Sequence, residues 1–441
     1  MKVSTDKNLI NEALTRSVDK IYPTRAALEK ELLSGRRLRI YLGVDPTGSH
    51  LHLGHATNLL TLRRFQELGH EIILLIGDFT ARIGDPTDKL APRQPLIEKE
   101  IKDNLKTFKT QAAKIIGFSG ANAAKIEFNS KWLKKMVFTD VLELVGNFTV
   151  QQMLERDMFQ RRLSAWICPT CKTRNILDPS IPNPEQLETR CPKCGWYGTL
   201  NNVLIEKNKP INIKEFLYPL MQGYDSVAMD VDMEIGGTDQ TFNMLVGRTL
   251  IKTLKNKEKF VIITKLLIDP ETNKKIMNKS EGGLVNLDDE PNDMFGKVMA
   301  LQDSAIIPVA EFSTDMPLGE VQALTKEENP KDAKLRVAYE VVKTYHSAKD
   351  ADKAKENWIK TFSNREVPED AKELKVKKEI PIMELLLASG VGSKSEARRL
   401  IQQKAVKIND IVKENPDETL KLKGGEILKV GKHRFFKLTL I

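Results

Sequence analysis

Between Tyr41 and His55 the chain reads YLGVDPTGSHLHLGH, with His52 and His55 three residues apart where a helix begins. Imidazoles at that spacing share one face of a first helical turn and can donate hydrogen bonds to a phosphate chain, which helix N-termini attract. Gly54, between them, leaves room for a flat base against the backbone. Alone, HLGH also reads as a histidine pair of the core or surface. Tyr218, Gln222 and Asp225 fall at i, i+4 and i+7, so they project from one helical face and can line one wall of a pocket. An ordinary amphipathic helix has the same spacing. GGTDQ at 236–240 is either a ligand loop or a plain tight turn. All four cysteines lie in one window, Cys168, Cys171, Cys191 and Cys194, as CxxC, nineteen residues, CxxC. Each CxxC places two thiolates on one knuckle, and four thiolates around a single ion leave no open position, so the spacing predicts a structural zinc site. Two disulfides or a redox pair are the competing readings.

The elements that must position these groups alternate. Leu38–Val44 is an apolar strand candidate; a helix pattern starts near His52 and closes at Gly69; Glu71–Ile76 is nearly continuous apolar sequence, as a strand buried on both faces reads. Val231–Ile235 and Phe260–Ile268 are further strands. Strand, Gly/Asp loop and helix in alternation predict an α/β fold with a parallel sheet, its ligands gathered at the carboxyl ends of the strands. The expected organisation is a Rossmann-like domain over 1–283 interrupted by the cysteine insert at about 163–209, an α-helical domain over 284–362, a charged linker over 363–378, and a small α+β module over 379–441.

At 441 residues the chain exceeds one core. Its formal net charge is +9, and residues 380–441 hold 12 basic and 7 acidic side chains, a local excess of +5. That excess suits a polyanion such as RNA, or a merely lysine-rich solvated surface. The first 23 residues contain no apolar signal core and no window approaches the length of a membrane span, so a soluble, cytoplasmic protein without membrane contact is expected.

The motifs together carry a resemblance. HLGH in this setting resembles the HIGH signature of class I aminoacyl-tRNA synthetases, and YLGVDPTGSHLHLGHATNLLTLRRFQELGH resembles the tyrosyl-tRNA synthetases among them. GDFTARIGDPTDK at 77–89, YPLMQGYD at 218–225 and IGGTDQTFN at 235–243 follow in the family's order. The likeness spans nearly the entire chain except the cysteine insert and ends in a module similar to ribosomal-S4-type RNA-binding domains. The second class I signature, KMSKS, is represented by KIMNKS at 275–280, where Ile276 and Asn278 stand at the first lysine and first serine positions. Lys274 or Lys275 is placed to supply the cation instead.

This resemblance implies tyrosine and ATP as substrates, tRNA(Tyr) as partner, magnesium with the ATP, and a homodimer. It implies that Tyr41 and Asp225 bind the substrate's phenolic hydroxyl, that Thr80, Asp85, Tyr218 and Gln222 hold its ammonium, and that Gly43 and Gln240 line the same pocket. His52 and His55 are implied for the phosphates and Gly54 for the adenine. Asp45 and Asp239 belong to the adenylate's surroundings, Thr47 to a phosphate contact, and Lys275, Met277, Lys279 and Ser280 to the ATP loop, Lys279 as a catalytic cation; Lys89 matches a loop lysine that can reach pyrophosphate. A pocket that accepts tyrosine and refuses phenylalanine needs buried polar groups left unpaired by the wrong ring, a principle for which tyrosyl-tRNA synthetases are themselves the standard illustration. In the tail, SKSEARRLIQQKAVKIN resembles the S4 signature, with Lys394, Arg398, Arg399 and Lys404 implied as RNA contacts; a solvated helix face is the plainer reading. Lys172, Arg174, Arg190 and Lys193 make the cysteine insert basic, so it is either a contact for the tRNA acceptor arm or a structural brace. Two rival functions remain: a tryptophanyl-type enzyme, against which Tyr41 and the YxxxQxxD helix argue, and a catalytically silent RNA-binding descendant of a synthetase.

Overall fold

The computed structural model describes all residues except 1, 86–95, 161, 164, 178–185, 207–210, 278–282, 328, 363–371, 410, 432–433 and 441. Lys89, Lys279 and Ser280 lie outside the described residues. The chain divides into two compact units, 1–268 with 274–276, and 269–273 with 277–441.

The first unit is built on a six-stranded sheet. In chain order its strands are β1 (Val18–Tyr22), β2 (Arg39–Val44), β3 (Glu71–Ile76), β4 (Lys125–Phe128), β5 (Met233–Gly237) and β6 (Phe260–Thr264), hydrogen-bonded in the order β1-β6-β5-β2-β3-β4. β2 to β6 run parallel and β1 pairs antiparallel with β6. The α/β sheet expected from alternation is therefore present. β3 has the bounds its apolar run predicts, and five of its six residues are buried. β5 starts two residues later than the sequence suggests, because Asp232 is used before the strand begins: its carboxylate accepts the Arg39 N–H at 2.7 Å and pairs with Arg36 at 3.0 Å. β6 stops at Thr264, and Ile268 instead bridges to Lys275.

Strand twist and the parallel connections place helices over the sheet. Leu53–Glu67 follows β2, and Ile213–Met229 and Thr241–Lys255 pack against each other at close range. Gly223 and Gly247 permit that approach, since a Cβ at 223 would stand 2.8 Å from Val246 Cγ1. His70, fully buried, accepts the Leu38 N–H on Nδ1 at 3.2 Å. Burial, reinforced by Arg37 and Arg36, lowers its pKa from 6.5 to about 4. The unfolded imidazole protonates near 6.5 and the folded one near 4, so this contribution to stability is complete above 6.5 and is lost as pH falls towards 4, by roughly 3 kcal/mol. Urea unfolding of wild type and His70→Gln from pH 7.5 to 4.5 should show a shallower acid loss in the variant; parallel curves would contradict the assignment.

The cysteine insert forms a three-stranded sheet (165–167, 174–176, 205–206) and a hairpin pairing Glu188–Arg190 with Tyr197–Thr199. Its base is tied to the helix Ile213–Met229 by a buried bidentate pair, Arg162 to Glu215 at 2.5 and 3.1 Å.

The second unit contains the helices Pro291–Met299, Ile306–Ser313, Leu318–Leu324, Pro330–Tyr345 and Ala348–Phe362. Beyond them, the helices Ile382–Ala388 and Lys394–Gln402 share an apolar core with a five-stranded sheet through Ile382, Leu385, Ile401, Val406, Leu428 and Leu438. Composition reads 363–378 as linker, yet Lys372–Val376 is an outer strand of that sheet, paired parallel with Phe436–Leu440. Read as KELKV among further charged residues, it resembles a charged tether in sequence, and only the pairing reveals a strand.

Candidate active site

The carboxyl ends of β2, β3, β4 and β5 carry a polar network of two hydrogen-bonded sets, built on groups from the strands and from the loops and helices around them. Tyr41, on β2, is fully buried, and its hydroxyl lies 2.8 Å from Ser226 Oγ. Burial, then the charges of Glu234 and Asp225, push its pKa well up, so it stays a neutral donor and acceptor. Asp225, also buried, accepts the Trp132 indole N–H at 2.7 Å and the Asn129 amide at 3.3 Å. Burial raises its pKa well above the carboxylate range, against the pull of those two donors. Asn129 stands just past β4 and also donates to Thr80 Oγ1 at 3.0 Å.

Asp45, just past β2, accepts the hydroxyls of Thr80 at 2.8 Å and Tyr218 at 2.7 Å. Gly77 makes room for it, since a Cβ there would fall 1.8 Å from Asp45 Oδ1. Asp45, implied for the adenylate, thus joins two residues implied for tyrosine in one wall. Tyr218 is buried and its pKa is raised by burial and then by the charges of Asp45 and Asp85. Asp85 accepts Gln240 at 2.6 Å and Arg156 at 3.0 Å. Gln222 donates to Glu234 at 3.3 Å and accepts Asn243 at 2.9 Å, and Asn243 also donates to Gln240 at 3.0 Å. Tyr218, Gln222 and Asp225 therefore all reach the network from one helix, as their spacing predicts. Gly43 and Thr47 are exposed on β2 and in the loop that follows.

His52 caps the helix Leu53–Glu67. Its Nδ1 accepts the Gly54 N–H at 3.2 Å, and His55 Nδ1 accepts the His52 N–H at 3.1 Å, with ring centroids 4.0 Å apart. With both Nδ1 atoms occupied as acceptors, each neutral ring carries its proton on Nε2, which makes the pair donors at a helix N-terminus. Gly54 is half-buried between them. Asp239, in the turn after β5, pairs with Lys275 at 3.0 Å, and Met277 is buried.

Asn129, Trp132, Arg156, Ser226, Glu234, Asn243 and Lys259 belong to this network and were not singled out from sequence. Asn129 would have followed from recognising β4, because residues just past parallel strands face the ligand. Asn243 lies within the quoted IGGTDQTFN, three residues after Gln240.

The four cysteine sulfurs converge. Sγ of Cys168 and Cys194 are 3.7 Å apart, those of Cys171 and Cys191 are 3.6 Å apart, and all four lie within 4.8 Å of one another. Disulfide sulfurs would sit at about 2.05 Å, whereas the edge of a tetrahedron with Zn–S bonds of about 2.3 Å is about 3.8 Å. Matching knuckles present them: Lys172 N–H bonds Cys168 O, Gly195 N–H bonds Cys191 O, and both residues adopt a left-handed φ one step after the second cysteine. The Thr173 hydroxyl and N–H hold the Cys171 thiol down at about 6. Arg174 donates to the carbonyls of Gln160 and Leu163, anchoring the insert. In the second unit, Lys394, Arg398, Arg399 and Lys404 are exposed along and just past one helix, with Lys404 paired to Glu414 at 2.8 Å.

No helix among the described residues is long and apolar enough to cross a membrane. The sequence matches the family tRNA synthetases class I (W and Y) over residues 33–169 and 200–363, and the S4 domain over 380–427. The break between 169 and 200 contains three of the four cysteines. Similar proteins include the tyrosine–tRNA ligases of Moorella thermoacetica, 37% identical over 435 residues (96% of this chain, 94% of the relative), and Carboxydothermus hydrogenoformans, 38% identical over 443 residues (97% of each). The fold is similar to a C-terminally truncated mitochondrial tyrosyl-tRNA synthetase from Aspergillus nidulans (TM-score 0.59, 21% identity, 81% of this chain and 95% of that one). It is likewise similar to an Archaeoglobus fulgidus tyrosyl-tRNA synthetase complexed with L-tyrosine (TM-score 0.54, 19% identity, 79% and 99%). Its motifs, their convergence at one end of a parallel sheet, and relatives alike over nearly its whole length lead to one statement: the chain belongs to the tyrosyl-tRNA synthetases of class I.

Proposed function

We propose that the chain joins tyrosine to AMP and then to tRNA(Tyr), with its polar pocket selecting the phenol and its histidine-capped helix holding the triphosphate. The observation that carries this reading is the buried carboxylate of Asp225, held by Trp132 and Asn129 beside Tyr41. A phenolic hydroxyl would use the hydrogen-bonding capacity that Tyr41 keeps beyond Ser226 and Asp225 beyond Trp132 and Asn129, whereas a bare ring would leave that capacity unmet in a buried site. Tyr218 and Gln222, with Thr80 and Asp85, then form the acceptor wall for the substrate's ammonium, and Gln240 stands near its carboxylate. That carboxylate attacks the α-phosphorus in line, the new O–P bond forms as the bond to the β-phosphate oxygen breaks, and pyrophosphate leaves. No protein nucleophile is needed; positioning and donated hydrogen bonds lower the barrier. His52 and His55 donate from Nε2 to phosphate oxygens, Gly54 and Thr47 receive the nucleotide, Asp239 the ribose, and magnesium accompanies the triphosphate. Lys275, held at Asp239, supplies the cation that Ile276 lacks, and Lys279 and Ser280 of the KIMNKS signature are proposed to act on the same phosphates. In the second step a terminal ribose hydroxyl of tRNA attacks the anhydride and AMP departs.

The experiment is ATP–pyrophosphate exchange with each amino acid. Exchange with tyrosine alone is expected; exchange with tryptophan, or tRNA binding without any exchange, would overturn the reading in favour of its two rivals.

The same proposal includes a structural zinc at Cys168, Cys171, Cys191 and Cys194, supported by the sulfur spacing. It supplies no chemistry to the reaction, since four thiolates complete its shell. One zinc per chain is expected by elemental analysis, and Cys168→Ser should lower that ratio below a half; a metal-free wild type that melts as a single stable species would refute it. A homodimer is supported by an apolar face around Val137, Phe138, Leu142 and Val150, with Phe138 75% exposed. Phosphate contacts by Lys394, Arg398, Arg399 and Lys404 are supported by their exposure. A cytoplasmic location is consistent with thiols kept for metal rather than disulfides.

A further inference from the structure

Beneath the pocket lies a charged pair that the reaction does not use. Lys259, the residue before β6, is fully buried, and its ammonium meets three acceptors: the carboxylate of Glu234 on β5, Ser226 Oγ at 2.7 Å and the Met244 carbonyl at 3.3 Å. Three N–H groups and three acceptors match one to one, which is the arrangement of a charged lysine. Burial lowers its pKa, and the Glu234 carboxylate opposes that pull. Room is left for it by Gly247, where a Cβ would stand 2.6 Å from Lys259 Nζ and 2.8 Å from Ser226 Oγ. Buried ion pairs add little net stability over apolar packing, so this one needs a reason in what it touches. It touches both sides of the tyrosine pocket. Glu234 accepts from Gln222, and Ser226 meets the Tyr41 hydroxyl at 2.8 Å. The ammonium also lies 5.7 Å from the centre of the Tyr41 ring.

We infer that Lys259, paired with Glu234 and acting through Ser226, is a positioning residue that fixes the direction of the Tyr41 hydroxyl and so sharpens the choice of tyrosine over phenylalanine. Lys259 occupies an acceptor lone pair of Ser226 Oγ and draws its electrons, which makes the serine O–H the donor to Tyr41. The Tyr41 oxygen is then held as one oriented dipole instead of a freely turning one. A pocket with that dipole set in advance loses little on meeting a phenol and gains nothing from an unsubstituted ring. The inference rests on the tyrosine reading above and deepens it.

The test measures exchange with tyrosine and with phenylalanine in wild type, Ser226→Ala, the charge-free pair Lys259→Met with Glu234→Gln, and the three changes combined. In the charge-free protein KM for tyrosine should rise roughly tenfold, the fall in kcat being much smaller, and the tyrosine-to-phenylalanine ratio of kcat/KM should drop roughly tenfold. A general loss of structure would depress both substrates alike and leave the ratio in place. Ser226→Ala, which keeps the ion pair, should reproduce the drop, and the combined variant should lose no more than either, because all act through one hydroxyl. An unaltered ratio in Ser226→Ala, or losses that multiply in the combined variant, would overturn the inference even if the charge-free protein fails to fold. Wild type silent with tyrosine would overturn the tyrosine reading and this inference together, whereas active wild type with unaltered ratios would overturn the inference alone.

Discussion

Asp225→Ala is expected to lower kcat/KM for tyrosine by about a thousandfold in pyrophosphate exchange, with ATP binding little changed. The size follows from what is left behind. Asp225 accepts from Trp132 at 2.7 Å and Asn129 at 3.3 Å, so alanine removes the partner of the substrate hydroxyl and strands one buried and one half-buried donor as well. Each stranded group costs about 1–3 kcal/mol, and a tenfold change in rate corresponds to about 1.4 kcal/mol. Because the burial of Asp225 makes it a poor host for charge, Asp225→Asn should retain more activity than alanine. An effect of less than tenfold in a folded alanine variant would mean that the phenol binds elsewhere.

His55→Ala is expected to lower kcat by about a hundredfold to a thousandfold while KM for tyrosine stays near its wild-type value, since donors aimed at the phosphates act in the transition state and not on the amino acid. His52→Ala should resemble it in rate and differ in stability. His52 is also the cap of the helix Leu53–Glu67, accepting the Gly54 N–H, and loss of a cap costs about 1 kcal/mol. His55→Gln, which keeps a donor, should recover part of the rate. Stopped-flow measurement of adenylate formation separates these effects; a raised KM for tyrosine with normal kcat in His55→Ala would dismiss the phosphate role.

The candidate site was legible where chemistry compels an unusual spacing. The cysteine pairs announce themselves because four thiolates must meet, HLGH and IGGTDQTFN lie near the carboxyl ends of β2 and β5, and YPLMQGYD shows itself by its helical spacing. Burial was legible where it is continuous, as in EIILLI of β3. What escaped was polar sequence doing the work of the interior. β1 reads VDKIY and β4 reads KIEF, short edge strands whose charged residues face solvent, so neither the apolar run nor clean alternation appears. Lys259 sits in KNKEKF, a run that looks like solvated surface, and nothing local says that one of its lysines points inward to Glu234 twenty-five residues earlier. Ser226 is likewise an ordinary helix residue until the Tyr41 hydroxyl is seen beside it.

The outer strand Lys372–Val376 bears on how the RNA-binding tail could be studied alone. The S4 match covers only 380–427, yet the sheet there is completed by Arg434–Leu440 and then by Lys372–Val376 beside it. A fragment cut at the limits of the match would lack both, and all but the first residue of the Ile427–Val430 strand, leaving Val406–Ile408 as a bare edge able to recruit strands from other copies. Beginning the fragment upstream of residue 372 and carrying it past Leu440 keeps the border intact, so a clump of short fragments beside a monomeric long one is the outcome to look for on a sizing column.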